Sequence, residues 1–208
     1  MIAGFRKSTV CCNGVALSVH RAGQGEPLLL LHGFPQNHMC WERVAPQLAR
    51  HHDVIIPDLR GYGESEAPPN ESGNITYSKR TMAQDIADLL NALAIQRTNV
   101  LGHDRGARVA YRFALDHPER ISKLGIIEIV PTADFWASWT ADLAIAAYHW
   151  TFLAQPAPIP ERMIGADPVA YLDWTLAQWT LGKNLEPFSP AALASYRKQV
   201  QNPARVHA

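Results

Sequence analysis

The sequence has few cysteines, and those it has are not spaced as pairs. Of its 208 residues only three are cysteine: Cys11 and Cys12 are adjacent, and Cys40 stands alone. A secreted disulfide-rich domain carries an even, spaced set, and a zinc site needs pairs of ligands separated by short gaps. Neither pattern occurs, so we expect a reduced, cytoplasmic protein without a bound metal or cofactor.

The sequence also lacks an excess of charge of one sign and any long apolar run. Lysine plus arginine and aspartate plus glutamate both number 19, and like charges do not cluster along the chain. The longest aliphatic run is the four leucines at 28–31, far below the roughly 20 residues of a membrane span. These absences argue against nucleic acid and membranes as partners. A small-molecule substrate and water are expected instead, with a homodimer left open.

What the sequence does contain is a set of short aliphatic runs separated by amphipathic stretches. We predict six strands, near residues 5–12, 15–22, 27–33, 53–59, 98–104 and 123–130. The last four are continuously apolar, which is typical of parallel strands buried on both faces. The stretch 81–95 places Met82, Ile86, Leu89, Leu90 and Leu93 at helical spacing. The pattern predicts a mostly parallel, doubly wound α/β sheet in residues 1–131.

The composition changes after Pro131. Five of the six tryptophans lie beyond it, together with many alanines and prolines, and the strand-like alternation ends. We therefore predict a helical lid over residues 132–208, above the carboxyl ends of the strands, where doubly wound sheets hold their ligands.

One short motif carries the chemistry. Gly102-His103-Asp104-Arg105-Gly106 has the spacing of a nucleophile elbow, the tight turn between a strand and a helix, but its centre is aspartate where serine is more usual. A serine that attacked a saturated carbon would be left as an ether, which water does not cleave. A carboxylate leaves an ester, which water hydrolyses at the carbonyl carbon of the enzyme's own side chain. Asp104 therefore predicts displacement at a saturated carbon.

Two arginines follow the aspartate on the predicted helix. Arg105 and Arg108 are three residues apart and share a helix face near its positively polarised amino end. A guanidinium pair there can bind a carboxylate and offset its repulsion by Asp104. The expected substrate is a small acid with a leaving group on the carbon next to its carboxylate.

The segments "GHDRGARVAYRFALDHPERI" and "YHWTFLAQP", with "LHGFPQNHMCWERVAPQLA" upstream, make the chain resemble the fluoroacetate (haloacetate) dehalogenases of the α/β-hydrolase superfamily. The resemblance covers nearly the whole chain. It implies an α/β-hydrolase core with a helical lid, Asp104 as the nucleophile, and Arg105 with Arg108 as the clamp for the substrate's carboxylate. It also implies that His149 and Trp150 donate hydrogen bonds to the departing halide.

The resemblance implies two further roles. The backbone N–H groups of Phe34 and Arg105 would form the oxyanion hole for ester hydrolysis. Glu128 stands at the end of the sixth strand, where the family usually has an aspartate that orients the catalytic histidine. A carboxylate in an aliphatic strand needs a polar partner, so we expect that role for Glu128, with a helix cap or a core salt bridge left open. His103 is expected to point away from the nucleophile beside it.

One part of the mechanism has no candidate in this sequence. In the superfamily the base histidine follows the acid, on a loop after the last core strand. Beyond Glu128 the chain has only His149 and His207, and the resemblance places neither at the base position. We therefore expect the last core strands and the base to be missing, so that the ester at Asp104 forms but is hydrolysed slowly.

Two other functions stay open. An epoxide hydrolase uses the same nucleophile with lid tyrosines as acids, for which Tyr148 and Tyr171 are available, although paired arginines would serve no purpose there. A non-catalytic remnant that binds small carboxylates is the other alternative. Halide release from a haloacid separates the dehalogenase from the epoxide hydrolase, and ligand binding without turnover would favour the remnant.

Overall fold

Six strands form one mixed sheet in the computed structural model, which describes residues 1–71 and 74–208. They are β1 (Arg6–Cys12), β2 (Val15–Ala22), β3 (Glu26–Leu31), β4 (His52–Pro57), β5 (Thr98–His103) and β6 (Ile121–Ile127). Their order across the sheet is β1-β2-β4-β3-β5-β6. The β1–β2 and β2–β4 pairs are antiparallel, and the other three pairs are parallel. All six predicted strands are present, each within three residues of its predicted bounds.

Helices supply the crossovers and everything after the sheet. The α-helices within the described residues are α1 (Ala45–Leu48), α2 (Lys79–Ala92), α3 (Arg105–Asp116), α4 (Thr132–Ala137), α5 (Ala141–Ala146), α6 (Tyr148–Leu153), α7 (Ile159–Ala166), α8 (Pro168–Gln178), α9 (Pro190–Val200) and α10 (Pro203–His207). Every element described after β6 is helical. None of these helices has both the length and the apolar character that a bilayer span requires.

The alternation of side chains along β3 divides the core into two layers. Leu29 and Leu31 belong to a cluster with Ile86 of α2 and Phe113 of α3. Leu30, between them, belongs to the opposite cluster, which includes buried side chains of α8 and α9. Helices therefore cover both faces of the sheet, and part of the helical segment 132–208 completes the core rather than only covering a site.

Helix α2 begins where the sequence supplies a cap. Ser78 has extended backbone, and its hydroxyl accepts a hydrogen bond from the Thr81 N–H at 3.1 Å, which satisfies one free donor of the first turn. The helix buries the stripe that contains Met82 and Ile86 against the sheet. This packing fixes the amino end of α2, and with it Lys79.

The prediction that the last four strands are all buried on both faces is wrong for β6. Leu124, Ile126 and Ile127 are 39%, 42% and 40% exposed. In the described part of the chain β6 pairs only with β5, so it is an edge strand with an uncovered flank. The apolar run correctly predicted a strand, but burial depends on neighbours that the run itself does not specify.

Candidate active site

The turn between β5 and α3 has a backbone conformation that few residues adopt. Asp104 has φ 48° and ψ −118°, which is strained for a residue with a side chain. A Cβ at Gly102 would lie 2.6 Å from the Cα of Ala107, and one at Gly106 would lie 2.4 Å from the carbonyl oxygen of Leu31. Both positions therefore require glycine, and the tight turn brings the Asp104 side chain to the loop after β3.

The loop after β3 holds the Asp104 carboxylate. The Phe34 N–H donates a hydrogen bond to Oδ1 at 2.7 Å. Gly33 makes this approach possible, because a Cβ there would lie 2.5 Å from the Cβ of Asp104. Among the described residues Oδ2 accepts no hydrogen bond, so one oxygen is anchored and the other is free. This is the arrangement that an attacking carboxylate requires.

A cavity of about 310 Å³ lies beside the Asp104 carboxylate. Six of the residues selected from the sequence line it, namely Phe34, Asp104, Arg105, Arg108, His149 and Trp150. They come from the loop after β3, the turn before α3, α3 itself and α6. The fold thus brings residues from distant parts of the sequence around one space the size of a small ligand.

Arg108 is a buried cation without a carboxylate partner in the described structure. Its side chain donates to the Val130 carbonyl at 3.2 Å and to Thr132 Oγ1 at 2.7 Å, and its guanidinium lies 4.5 Å from the centroid of the Trp150 ring. Its Nε is buried and has no hydrogen-bond partner there. Burial lowers the pKa of Arg108 from its usual value, yet arginine stays charged at neutral pH. An anion in the cavity would supply the missing acceptor.

Arg105 lies against Phe34, with its guanidinium 5.1 Å from the ring centroid. It lines the 310 Å³ cavity on one side and a smaller cavity of about 170 Å³, shared with Tyr62 and Tyr171, on the other. The neighbouring Tyr62 phenol raises the pKa of Arg105 above its ordinary value. A permanent positive charge therefore stands beside Asp104.

The α6 helix contributes the side chains of His149 and Trp150 to the wall of the cavity. The Nδ1 of His149 is buried without a hydrogen-bond partner among the described residues. Burial lowers the pKa of His149 to about 4, so its imidazole is neutral at pH 7 and carries a single N–H. The Trp150 ring packs against Phe135, at 4.3 Å between centroids, and against the guanidinium of Arg108, which lies 4.5 Å from the Trp150 centroid. Each ring therefore carries one N–H, and both rings line the cavity that contains the Asp104 carboxylate.

Glu128 lies apart from this group. It follows β6 with φ 60°, its side chain is 79% exposed, and its carboxylate is 3.2 Å from the Nε2 of His103. Glu128, His103 and Asp104 line a neighbouring, larger cavity of about 690 Å³. The polar partner expected for Glu128 is thus His103, and its role in orienting a base stays a prediction.

Comparison with known proteins agrees with this architecture. The sequence pattern of the alpha/beta hydrolase fold matches residues 26–208. The chain belongs to the α/β-hydrolase fold family. It is 42% identical over 207 residues to a fluoroacetate dehalogenase of Burkholderia sp, with 100% of this chain and 68% of that protein aligned. It is 36% identical over 187 residues to a soluble epoxide hydrolase of Corynebacterium sp. (strain C12), with 88% of this chain and 63% of that protein aligned.

Solved structures share the fold of this α/β hydrolase. A crystal structure from Nostoc sp PCC 7120, named only as an α/β hydrolase, has a TM-score of 0.96 at 44% identity and covers 100% of this chain and 71% of its own. The epoxide hydrolase CorEH has a TM-score of 0.85 at 31% identity, with 98% and 70% covered. The chain thus spans about two thirds of the length of these relatives. The resemblance to haloacetate dehalogenases is confirmed, but similarity alone does not choose between dehalogenase and epoxide hydrolase.

Two residues of the cavities that contain Asp104 were not singled out from the sequence of this α/β hydrolase. Lys79, the first residue of α2, lines the 310 Å³ cavity, and Phe135 of α4 supports the Trp150 ring. Neither carries a local motif that indicates a site. Only the packing of α2 and α4 beside the elbow brings them there.

A second buried polar cluster has the residue types of a metal site but not the geometry. His20, His38 and Asp58 place one possible ligand atom each within 4.8 Å of one another. The rings of His20 and His38 stack with centroids 3.7 Å apart and 16° between their planes, so their in-plane lone pairs lie side by side and do not converge on one ion. Asp58 already accepts the backbone N–H groups of His38 and Glu64, both at 2.8 Å. We assign this cluster to the packing of β2, which contains His20, against the segments that follow β3 and β4.

Proposed function

We propose that this α/β hydrolase is a hydrolytic dehalogenase of small 2-haloacids such as fluoroacetate. One observation carries the proposal: the anchored Asp104 carboxylate faces the same 310 Å³ cavity as Arg105 and Arg108. A carboxylate nucleophile suits a saturated carbon, and a pair of guanidinium groups suits a substrate that is itself a carboxylate. The similarity to a fluoroacetate dehalogenase supports the same reaction.

The first step is a displacement at the carbon that bears the halogen. The free Oδ2 of Asp104 forms a bond to that carbon while the carbon–halogen bond breaks, and the bonding electron pair leaves with the halide. Arg105 and Arg108 hold the substrate's carboxylate and offset its repulsion by Asp104. The ring N–H groups of His149 and Trp150 stabilise the developing halide charge in a site of low water content.

The second step regenerates the enzyme. Water attacks the carbonyl carbon of the Asp104 ester, the negative charge develops on the oxygen that the Phe34 N–H binds, and collapse releases the 2-hydroxyacid and a proton. The Arg105 N–H is the second proposed donor of this oxyanion hole. A histidine base is the proposed activator of the water, with Glu128 as the carboxylate that orients it.

The epoxide hydrolase alternative is weaker in this geometry. It needs a tyrosine hydroxyl that faces Asp104 to protonate the epoxide oxygen. Among the described residues neither Tyr148 nor Tyr171 lines the two cavities that contain Asp104. Tyr148 is 3.4 Å from Thr175 Oγ1, and Tyr171 lines the smaller cavity behind Arg105. This supports a substrate that needs cations rather than phenols.

The test measures halide released from chloroacetate and fluoroacetate by the 208-residue chain, and diol formed from a neutral terminal epoxide. We expect halide and no diol. Asp104→Asn should lower halide release by roughly four orders of magnitude or more, because the covalent step is lost. Asp142→Asn, an exposed site on α5, is the matched control and should keep the wild-type rate. Diol without halide, or an Asp104→Asn variant as fast as wild type, would contradict the proposal.

We further propose that the protein acts in the cytoplasm. Its three cysteines are all free thiols, which suits a reducing compartment. The partners proposed are the haloacid and water, with no nucleic acid or membrane. A homodimer stays open.

A further inference from the structure

Lys79 is the charged residue of the cavity that has no role in the mechanism above. It is the first residue of α2, and its half-buried side chain lines the 310 Å³ cavity together with Asp104, Arg105 and Arg108. Among residues 1–71 and 74–208 its Nζ has two weak contacts, each at 3.5 Å, to the Tyr77 carbonyl and to the sulfur of Met82. The ammonium group is therefore close to the nucleophile and poorly solvated by the chain.

The charges around the cavity do not balance. Of the described residues that line the cavity, three are cationic, namely Lys79, Arg105 and Arg108, and one, Asp104, carries a carboxylate. None of the ion pairs found among residues 1–71 and 74–208 includes any of these three cations. The Nε of Arg108, which is 5% exposed, also lacks a partner there. Buried charges are ordinarily paired, so this excess of positive charge indicates an anion as the occupant.

We propose that Lys79 is a third recognition residue for the substrate's carboxylate and that it takes up a proton when the acid binds. The inference rests on the proposed function only in taking a small carboxylate as the ligand. It adds a residue outside the arginine pair and a link between binding and pH.

The electrostatics of the empty cavity explain the proton uptake. Burial lowers the pKa of Lys79 to about 7, and the nearby charges of Arg105 and Arg108 lower it too, while Asp104 acts in the opposite direction. His149, from α6, is the other titratable group on the cavity wall, and it is neutral at this pH. Lys79 is thus only partly charged near pH 7 when the site is empty. A bound carboxylate favours the ammonium form, so Lys79 gains a proton from solution.

The consequence is a binding affinity that depends on pH in a specific way. Above the pKa of the empty site, each bound acid must bring a proton with it, so the Kd of the acid rises by up to about tenfold per pH unit. Below that pKa the ammonium is already present, and the Kd becomes independent of Lys79 titration. A purely structural lysine would produce no such slope.

The test uses acetate, which has no leaving group, titrated into the full chain by calorimetry at about pH 8. Comparing buffers of different ionisation enthalpy gives the number of protons taken up, which we expect to be roughly 0.8 per acetate bound. Acetamide, the neutral analogue, should cause no uptake. Lys79→Met should abolish the uptake and weaken acetate binding about 50-fold at pH 7, which is the loss that an uptake of roughly 0.8 proton at pH 8 implies for a group whose pKa in the empty site is about 7. Lys79→Arg should keep the affinity but lose the uptake, because arginine is always charged.

Arg80→Met is the matched control, since Arg80 follows Lys79 on α2 but its side chain is 73% exposed. It should behave as wild type, and thermal melts of all variants check that they are folded. The inference is overturned if wild type binds no acetate, if Lys79→Met binds it unchanged, or if proton uptake persists in that variant. If acetate binds with proton uptake but no halide is released from chloroacetate, the proposed dehalogenase function is refuted and the role of Lys79 in binding a carboxylate is supported.

Discussion

Arg60 and Arg108 are both buried, at 4% and 5% exposure, yet their guanidinium groups have different partners. The Nε of Arg60 donates to Asp85 Oδ2 at 2.6 Å, a second guanidinium nitrogen binds the other carboxylate oxygen, and a third donates to the Thr76 carbonyl at 2.9 Å. The Arg108 side chain donates to the Val130 carbonyl and the Thr132 hydroxyl and lies over the Trp150 ring, and its Nε has no hydrogen-bond partner within the described structure.

We interpret the difference as that between a structural cation, Arg60, and a cation proposed to bind a ligand, Arg108. Arg60 carries its counter-ion within the fold, so its charge and its hydrogen bonds are complete without any ligand. Arg108 is desolvated and only partly bonded, which costs stability, and a carboxylate in the adjoining cavity can complete it. Substitutions at the two sites should therefore affect different properties.

The largest effect is expected where the chain supplies both partners. Asp85→Asn leaves the Arg60 charge buried and uncompensated, so it should lower the free energy of unfolding by about 3–5 kcal/mol, measured by urea denaturation. Asp142→Asn, which is exposed on α5, should change it little. A loss below about 1 kcal/mol for Asp85→Asn would contradict the view that Arg60, unlike Arg108, depends on a carboxylate partner within the fold.

Arg108→Gln should produce the opposite pattern. We expect the second-order rate of halide release from chloroacetate to fall about 100-fold, equivalent to about 2.7 kcal/mol, because a charge-assisted pair with the substrate is lost. The free energy of unfolding should stay within about 1 kcal/mol, since no internal carboxylate loses its partner. Arg112→Gln, one turn further along α3 and paired with Asp116, is the control and should leave the rate unchanged. If Arg108→Gln lowered the free energy of unfolding and left the rate of halide release unchanged, Arg108 would be a structural cation like Arg60.

The buried histidine pair extends the comparison to pH. Burial lowers the pKa of His20 in the folded protein to about 4, against about 6.5 in the unfolded chain. The unfolded state therefore binds the proton first, and stability present above pH 6.5 is lost as the pH falls toward 4. Between about pH 7 and pH 5 this contributes about 2 kcal/mol. Between these pH values the free energy of unfolding of His20→Gln, measured by urea denaturation, should fall by about 2 kcal/mol less than that of wild type. The control His51→Gln, at an exposed site, should lose as much as wild type. Equal losses in wild type and both variants would refute the prediction.

Much of the fold could be predicted because its signals are local. The apolar runs located all six strands. Gly102 and Gly106 located the elbow, because a Cβ at either position would lie too close to neighbouring backbone atoms. The burial of β6 could not be predicted, because Leu124 and Ile126 contact whatever neighbours the sheet provides, and the described chain provides none on that flank.

The site was predicted unevenly for a related reason. Residues within the elbow motif or the lid motif, such as Asp104 and His149, were selected from the sequence, and the fold brings them together at one cavity. Lys79 was not selected, because its position follows from the packing of α2 beside α3. The contact between His103 and Glu128, 25 residues apart, comes from the parallel pairing of β5 with β6, which composition and spacing alone do not reveal.

In the proposed mechanism Asp104 itself attacks the carbon that bears the halogen. The most direct measurement is the mass of the Asp104 peptide after reaction with chloroacetate in water labelled with heavy oxygen, alongside the halide released. With the protein in excess over chloroacetate, so that each molecule reacts at most once, we expect every equivalent of halide to be matched at Asp104, either by a carboxymethyl ester or, after hydrolysis, by one heavy oxygen in its carboxylate. Halide released while the Asp104 peptide remains unmodified and unlabelled would contradict it.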